Sequence, residues 1–170
     1  MRITLLLLLF SVKLLAQENI SIIIPELVYQ NSIVYLAVKD MQKVLSQACD
    51  CEVQINNPDN EFLIVIPPID PEEFKEPTVF EEAADHPYMH YPQHWYHWTA
   101  ERENGKNYVY LKTPTFAGVG NALYGLMQEQ MGIKFYHPRE TYIPKWGGWP
   151  ISRTLDWMAV PRFDKKGFHL

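Results

Sequence analysis

The chain has 170 residues, and its 47% hydrophobic content is too high for a disordered polypeptide. Its net charge is −5 and the longest basic run is Lys165-Lys166, so we expect no nucleic-acid partner, which would need clustered Lys and Arg. A chain of this length encloses one hydrophobic core, which indicates one main domain.

The first segment, Met1 to Ala16, has the pattern of an export signal. Arg2 gives a positive start, an apolar run extends from Ile3 to Phe10, and Ala16 is a small residue suited to cleavage. The apolar run is too short to span a bilayer, for which about 20 apolar residues are needed. We therefore expect an exported protein, periplasmic or secreted, without a membrane anchor. A buried first strand or helix is the alternative for this segment.

The first half of the mature chain predicts the order β-α-β-β. A strand is expected at Ile20 to Ile24, ended by Pro25. A helix is expected from Ser32 to Gln47, because apolar residues recur there every three or four positions. Two further strands, Glu52 to Ile55 and Phe62 to Ile66, are separated by a turn rich in asparagine.

A long insertion, residues 67–103, follows the third strand. Its prolines forbid a long regular element, and connections of this length are usually functional or disordered. The insertion begins acidic and ends aromatic, and the aromatic half favours order. Within it, Trp95 to Ala100 is a candidate extra strand that would pair with Asn107 to Leu111 across an Asn104-Gly105 hairpin turn.

The second half predicts a strand, a helix and a strand. The strand Tyr108 to Leu111 leads into a helix from Phe116 to Met131, which Gly132 would end in a left-handed conformation. Ile133 to Tyr136 would then be the next strand, so that the unit forms a right-handed crossover over one face of the sheet.

These elements predict an α/β fold. We expect an α/β sandwich layer, a mixed β-sheet with two helices packed on one face, in the order β-α-β-β-(long loop)-β-α-β. The domain is expected to cover residues 17–145, and residues 146–170 to form a linker. The tail carries large apolar side chains that a lone domain would leave uncovered, which predicts poor solubility of the isolated chain.

Four histidines fall within one short stretch of the insertion: His86, His90, His94 and His97. On a helix they would share a face and could hold a metal ion. Pro87 and Pro92 break any such helix, so we predict no metal site.

Paired carboxylates are the groups that glycosidases use for catalysis. The candidates are Glu81, Glu82, Glu101, Glu103 and Glu129. None of them is predicted to stand beside a second fixed carboxylate, and their pattern favours a solvated surface. The glycines at 118, 120 and 125 lack the spacing of a dinucleotide-binding motif and more simply allow close packing of a helix on the sheet. We predict no catalytic residue and no cofactor.

Aromatic side chains at the end of the insertion are candidates for sugar binding: Tyr91, Trp95, Tyr96 and Trp98. A flat ring suits the face of a pyranose, and we take Trp95 and Trp98 as the candidate substrate-binding residues. The alternative is that these rings pack onto their own sheet or onto a neighbouring domain. Alternation along a strand would place Tyr96 and Trp98 on the same face.

The stretch from Gly118 to Pro138, with Leu123-Tyr124-Gly125-Leu126 at its centre, resembles a segment of known glycoside hydrolases. It is similar to the N-terminal α/β domain ahead of the catalytic barrel in β-hexosaminidase-like and α-glucuronidase-like enzymes, especially the exported proteins of gut-type Bacteroidetes. The stretch from Pro161 to Leu170 also resembles the start of the (β/α)₈ barrel in that family. This resemblance implies substrate-binding roles for Lys166 and His169, with Lys166 where the family has an arginine.

The resemblance implies an accessory role. A (β/α)₈ barrel takes about 250 residues, and none of its acidic catalytic residues lies in this sequence. We therefore expect a non-catalytic N-terminal domain of an exported exo-glycosidase that buttresses the barrel, either as a fragment or as a truncation. The alternatives are a stand-alone carbohydrate-binding module that uses the aromatics of residues 91–98 on an oligosaccharide, and a small hydrolase that uses His and Glu from residues 81–103.

Overall fold

The computed structural model describes residues 19–69, 94–137, 140–146 and 148–160. The helices and strands, in chain order, are β1 (Ile20–Ile23), α1 (Glu26–Tyr29), α2 (Ser32–Cys49), β2 (Val53–Ile55), β3 (Phe62–Val65), β4 (Tyr96–Glu103), β5 (Lys106–Lys112), α3 (Phe116–Gly125), β6 (Lys134–His137), β7 (Glu140–Tyr142) and β8 (Asp156–Ala159). A π-helical turn, Leu126–Gln130, continues α3.

Six strands form one mixed sheet in the order β2-β1-β3-β5-β4-β8. The first four strands in this order are parallel to one another. Strand β4 is antiparallel to β5, and β8 is antiparallel to β4. The predicted α/β fold with a mixed sheet is therefore confirmed.

The main core lies between the sheet and the two long helices. Strand residues that alternate along β1, β3 and β5 contact the apolar stripe of α2 and the buried side of α3: Ile20, Ile22, Phe62, Ile64, Val109, Leu111, Val34, Val38, Met41, Leu45, Val119 and Leu123. The apolar stripe predicted for α2 is therefore buried, with Val34, Val38, Met41 and Leu45 each 0% exposed. Both helices begin at side-chain caps, because Asn31 accepts from the N–H groups of Ile33 and Val34, and Thr115 accepts from that of Gly118.

Strands β2 and β3 are not neighbours, although only six residues connect them. Each pairs in parallel with β1, one on either side, so residues 56–61 must cross the face of β1. The crossing covers Ser21, whose hydroxyl donates to the Gln54 carbonyl (3.3 Å) and accepts from the Asn57 N–H (3.0 Å). Since Ser21 alternates with the core residues Ile20 and Ile22, the crossing lies on the face opposite α2. The predicted asparagine turn is therefore a short crossover.

The candidate extra strand in the insertion is confirmed as β4. It forms a hairpin with β5 in the register Glu103↔Lys106 to His97↔Lys112. The turn uses Asn104 and Gly105, both at positive φ (50° and 83°), as an Asn-Gly hairpin requires.

The predicted crossover after α3 is wrong in its last step. Gly132 does end this helical segment at φ 68°, but β6 does not join the main sheet. It pairs with β7 as a separate two-stranded sheet. The sixth strand of the main sheet is instead β8, which comes from the tail.

The tail is part of the domain as far as it is described. Ile151 and Leu155 are buried, and the Trp149 ring stacks on Phe62 with centroids 4.8 Å apart. The domain therefore extends past the expected boundary at residue 145 to at least Ala159. Trp149 and Trp157 are partly buried against the core, whereas Met158 is 42% exposed, and the poor solubility of the isolated chain stays a prediction. Among the described residues, no helix is long and apolar enough to cross a membrane.

Candidate functional site

The two tryptophans proposed to bind sugar are buried. Trp98 is 0% exposed, and its indole N–H donates to the Ala122 carbonyl of α3 at 3.2 Å. Trp95 is 4% exposed. Neither ring offers a face to a sugar in this structure, so the packing alternative describes these two side chains. Tyr96 is buried in the same core cluster as Trp98, as strand alternation predicts.

Two of the four candidate substrate-binding residues are at the carboxyl terminus of the chain. Lys166 and His169 lie outside the described residues, as do Tyr91, His86 and His90. The substrate-binding roles of Lys166 and His169 stay predictions from the resemblance.

His97 makes a polar contact between two strands. Its Nε2 lies 2.6 Å from Oδ1 of Asp156, which joins β4 to the edge strand β8 on the helix-free face of the sheet. His97 is thus used in a pair, whereas a metal site needs several converging ligands. In the described part of the chain, no group of three or more His, Cys, Asp or Glu side chains converges as a metal site would require.

The described glutamates of the carboxylate set lie on two different elements of the fold. Glu101 and Glu103 are exposed on β4, whereas Glu129 is exposed on the π-helical turn. Glu129 affects the buried Tyr96: burial raises the pKa of that phenol to about 12, and the negative charge of Glu129 adds to the rise. Tyr96 is buried in the core cluster and acts as a packing residue.

The helix-free face carries a tyrosine pair that the sequence pattern alone did not bring forward. The Tyr108 and Tyr110 rings are parallel within 3° and have centroids 5.5 Å apart. Tyr108 lies opposite Glu101 across the β4–β5 ladder. Burial raises the pKa of Tyr110, and nearby Tyr108, Glu101 and Glu103 raise it further. The signal available in the sequence was the spacing of two residues, which puts both rings on one face.

The outer side of the first two helices carries exposed apolar side chains. We define the α1–α2 apolar surface as Leu27 (80% exposed), Ile33 (54%) and Leu36 (61%). Ile33 and Leu36 are three positions apart and therefore share a helix face. Ile33 leans on α3, because a Cβ at Gly120 would lie 2.9 Å from its Cγ2. Sequence reasoning followed the buried stripe of α2 and passed over these positions, which lie off that stripe.

A polar bridge fixes the two long helices beside this surface. The Tyr124 hydroxyl lies 2.5 Å from Oδ2 of Asp40, and burial with this hydrogen bond raises the pKa of Tyr124. The Tyr124 ring also meets Phe135 of β6 edge to face, at 5.7 Å between centroids. The Tyr124–Asp40 hydrogen bond therefore holds α2, which carries Ile33 and Leu36, against α3.

Close packing explains the glycines of the stretch that carries the family resemblance. A Cβ at Gly125 would clash with the Tyr96 hydroxyl oxygen, so α3 approaches the sheet only because this position has no side chain.

Comparison with known protein families finds none that matches this chain, and comparison with curated proteins likewise finds no match.

Proposed function

We propose that this chain is the non-catalytic N-terminal domain of an exported exo-glycosidase involved in glycan degradation, and that it buttresses the catalytic barrel. The observation that carries the proposal is the α1–α2 apolar surface. Its two leucines and one isoleucine are more than half exposed on a domain that otherwise buries an ordered core. Exposed apolar clusters of this kind mark contacts with another protein surface.

The energy of these side chains supports a contact. Burying a Leu or Ile side chain that was exposed stabilises an assembly by about 1.5–3 kcal/mol. Because each of the three is already partly covered, the gain from all three together is on the order of 3–5 kcal/mol. A gain of this size helps to hold a covalently attached domain in place, where little translational freedom is left to lose.

The path of the tail also supports an accessory role. Strand β8 belongs to the sheet and ends at Ala159, directly before the Pro161–Leu170 stretch that resembles the start of a barrel. A following domain would thus be joined close to a strand of this sheet, which suits a rigid support.

The decisive test is to sequence the native locus downstream of codon 170 and to assay its product on chromogenic glycosides. We expect a (β/α)₈ barrel in frame, or separated by one stop codon, and glycosidase activity only when the barrel is present. A locus that encodes no hydrolase domain would refute the proposal. Hydrolysis by the purified 170-residue chain alone would refute it as well.

The second candidate function is a carbohydrate-binding module, and the Tyr108–Tyr110 pair is the observation that favours it. Two phenols beside the Glu101 carboxylate offer both apolar and hydrogen-bonding contacts to a sugar. Affinity electrophoresis on oligosaccharide gels tests it. Binding that is lost in Tyr108→Ala and kept in a Tyr142→Ala control would support this candidate, whereas no retardation of the wild-type chain would exclude it for the polysaccharides tested.

A further inference from the structure

Strand β8 forms one edge of the main sheet in the described part of the chain. Just before it, the Ala100 N–H donates to the Leu155 carbonyl at 2.7 Å, which fixes the phase of the hydrogen bonds between β4 and β8. Because these bonds alternate along an antiparallel ladder, the backbone groups of Trp157 point towards β4. The N–H and C=O groups of Asp156 and Met158 point away from β4, towards the open edge.

The opposite edge of the sheet is shielded. Strand β2 has three residues, and the Ile20 N–H of β1 donates to the Glu52 carbonyl, so the backbone groups of Val53 point away from β1. The Gln42 side chain on α2 donates to the Val53 carbonyl at 3.0 Å and so occupies one of these outward groups. Unpaired edge groups are a template for another strand, and of the two described edges the one at β8 offers them more freely.

From this open edge we propose that a second copy of the chain pairs with β8. The two β8 strands lie antiparallel across a twofold axis that passes beside Trp157, so that Asp156 of each copy lies opposite Met158 of the other. A closed twofold contact requires a self-complementary surface, and this strand provides one. The contact uses only residues of this chain and is independent of the accessory role.

The outward backbone groups determine the register. In an antiparallel ladder, two opposite residues exchange both hydrogen bonds only when the groups of both point towards the partner strand. Asp156 opposite Met158 meets this condition twice and uses every outward group of both strands. Asp156 opposite Asp156 would place two carboxylates directly across from each other, which is destabilising. Met158 opposite Met158 would pair Asp156 with Val160, which lies beyond the end of β8.

The side chains also suit this register. Trp157 lies opposite Trp157 of the other copy in a non-hydrogen-bonded pair, where side chains come closest and aromatic pairs stabilise a sheet. Its ring packs edge to face on Tyr96, with centroids 5.4 Å apart, and is only partly buried, so surface remains for the second ring to cover. On the other face, Met158 is 42% exposed, and an added strand covers part of it.

Sedimentation velocity of the 170-residue chain tests the contact. A standard interface uses about 20–30 residues on each side, whereas β8 has four, so we expect a weak dimer. The mass of the wild type should rise from 19.9 kDa towards twice that value as its concentration increases from about 10 µM to about 1 mM. A wild-type chain that stays monomeric over this range would overturn the proposal.

Two substitutions at Met158 identify the edge that is used. Met158→Pro removes an outward N–H and leaves the hydrogen bonds between β4 and β8 intact, so it should stay monomeric. Met158→Ala shortens the same side chain and keeps the N–H, so it should still dimerise. If the proline variant dimerises as the alanine variant does, β8 is not the contact.

Amide hydrogen exchange followed by NMR gives a second measurement on the wild type, so no variant has to fold. Exchange of the Asp156 and Met158 amides should slow about threefold or more at the higher concentration, because dimerisation hydrogen-bonds them. The Val53 amide, which points outward at the other edge, is the control and should keep its rate. Slowing at Val53 in place of Asp156 and Met158 would move the contact to β2 and overturn the proposal.

Discussion

Replacing Trp98 by alanine separates a core residue from a ligand-binding residue. Its indole is fully buried beneath α3 and donates to the Ala122 carbonyl. Truncation removes the whole ring from the centre of the contact between β4 and α3. A sugar-binding tryptophan on a surface could be truncated with little effect on folding, so the two roles predict opposite results.

The expected loss of stability follows from the burial. Truncating a buried tryptophan to alanine destabilises a domain by about 3–5 kcal/mol through lost contacts and the cavity that remains. For a domain of this size, each kcal/mol lowers the melting temperature by about 2–4 °C, so Trp98→Ala should melt about 6–20 °C below the wild type.

Differential scanning calorimetry of wild type, Trp98→Ala and Tyr142→Ala measures this difference. Tyr142 is 55% exposed, and its truncation should move the melting temperature by no more than about 2 °C. A Trp98→Ala protein that melts as the Tyr142→Ala control does would refute the assignment of Trp98 to the core and would return it to the sugar-binding candidates.

Three further predictions concern buried polar and glycine positions. Asn107 is 3% exposed, and neither amide atom of its side chain has a hydrogen-bond partner. Asn107→Val should therefore raise the free energy of unfolding by about 1 kcal/mol. Urea titrations measure this change, and a lower midpoint for the variant would contradict the prediction. Because the pKa of Tyr96 rises to about 12 from 10.0 on folding, its stabilising effect is complete below pH 10 and is lost as pH rises through 12. Wild type should thus lose more stability than Tyr96→Phe between pH 10 and 12, and equal losses in thermal melts would show that Tyr96 does not carry the effect. Gly125→Ala should destabilise the domain by about 1–3 kcal/mol because its Cβ meets the Tyr96 hydroxyl. The loss of stability should be smaller when Tyr96→Phe is already present, and strictly additive effects of the two substitutions would exclude this contact.

Local features of the fold were predictable because neighbouring residues determine them. The α2 stripe, the left-handed Gly132 and the Asn104-Gly105 hairpin each depend on a few adjacent positions. The pairing of strands was less predictable, since it depends on contacts between distant segments. The tail segment Asp156–Ala159 has a weak strand pattern and becomes β8 because the open edge of β4 accepts it.

Neither the α1–α2 apolar surface nor the Tyr108–Tyr110 pair was predicted from the sequence. Alternation placed Tyr96 and Trp98 on one face, but it did not say which face α3 would cover. Trp98 was a candidate for sugar binding and is buried. On α2, Ile33 and Leu36 are exposed and were not recognised, because they lie off the buried stripe. Apolar residues off the stripe were the available signal, since a helix that contacts only its own core has no need of them.

The glycines and the exposed residues give different kinds of information about function. Gly120 and Gly125 are explained by what they touch, Ile33 on α2 and Tyr96 on β4, so the stretch that resembles glycoside hydrolases describes how a helix packs. Packing requirements of this kind carry no information on chemistry. Leu27 and Leu36 have no such internal explanation, because the described fold leaves them in water. A protein surface packed on these side chains would remove the unfavourable free energy of their exposure to water. The α1–α2 apolar surface is therefore the part of the domain that tests an accessory role.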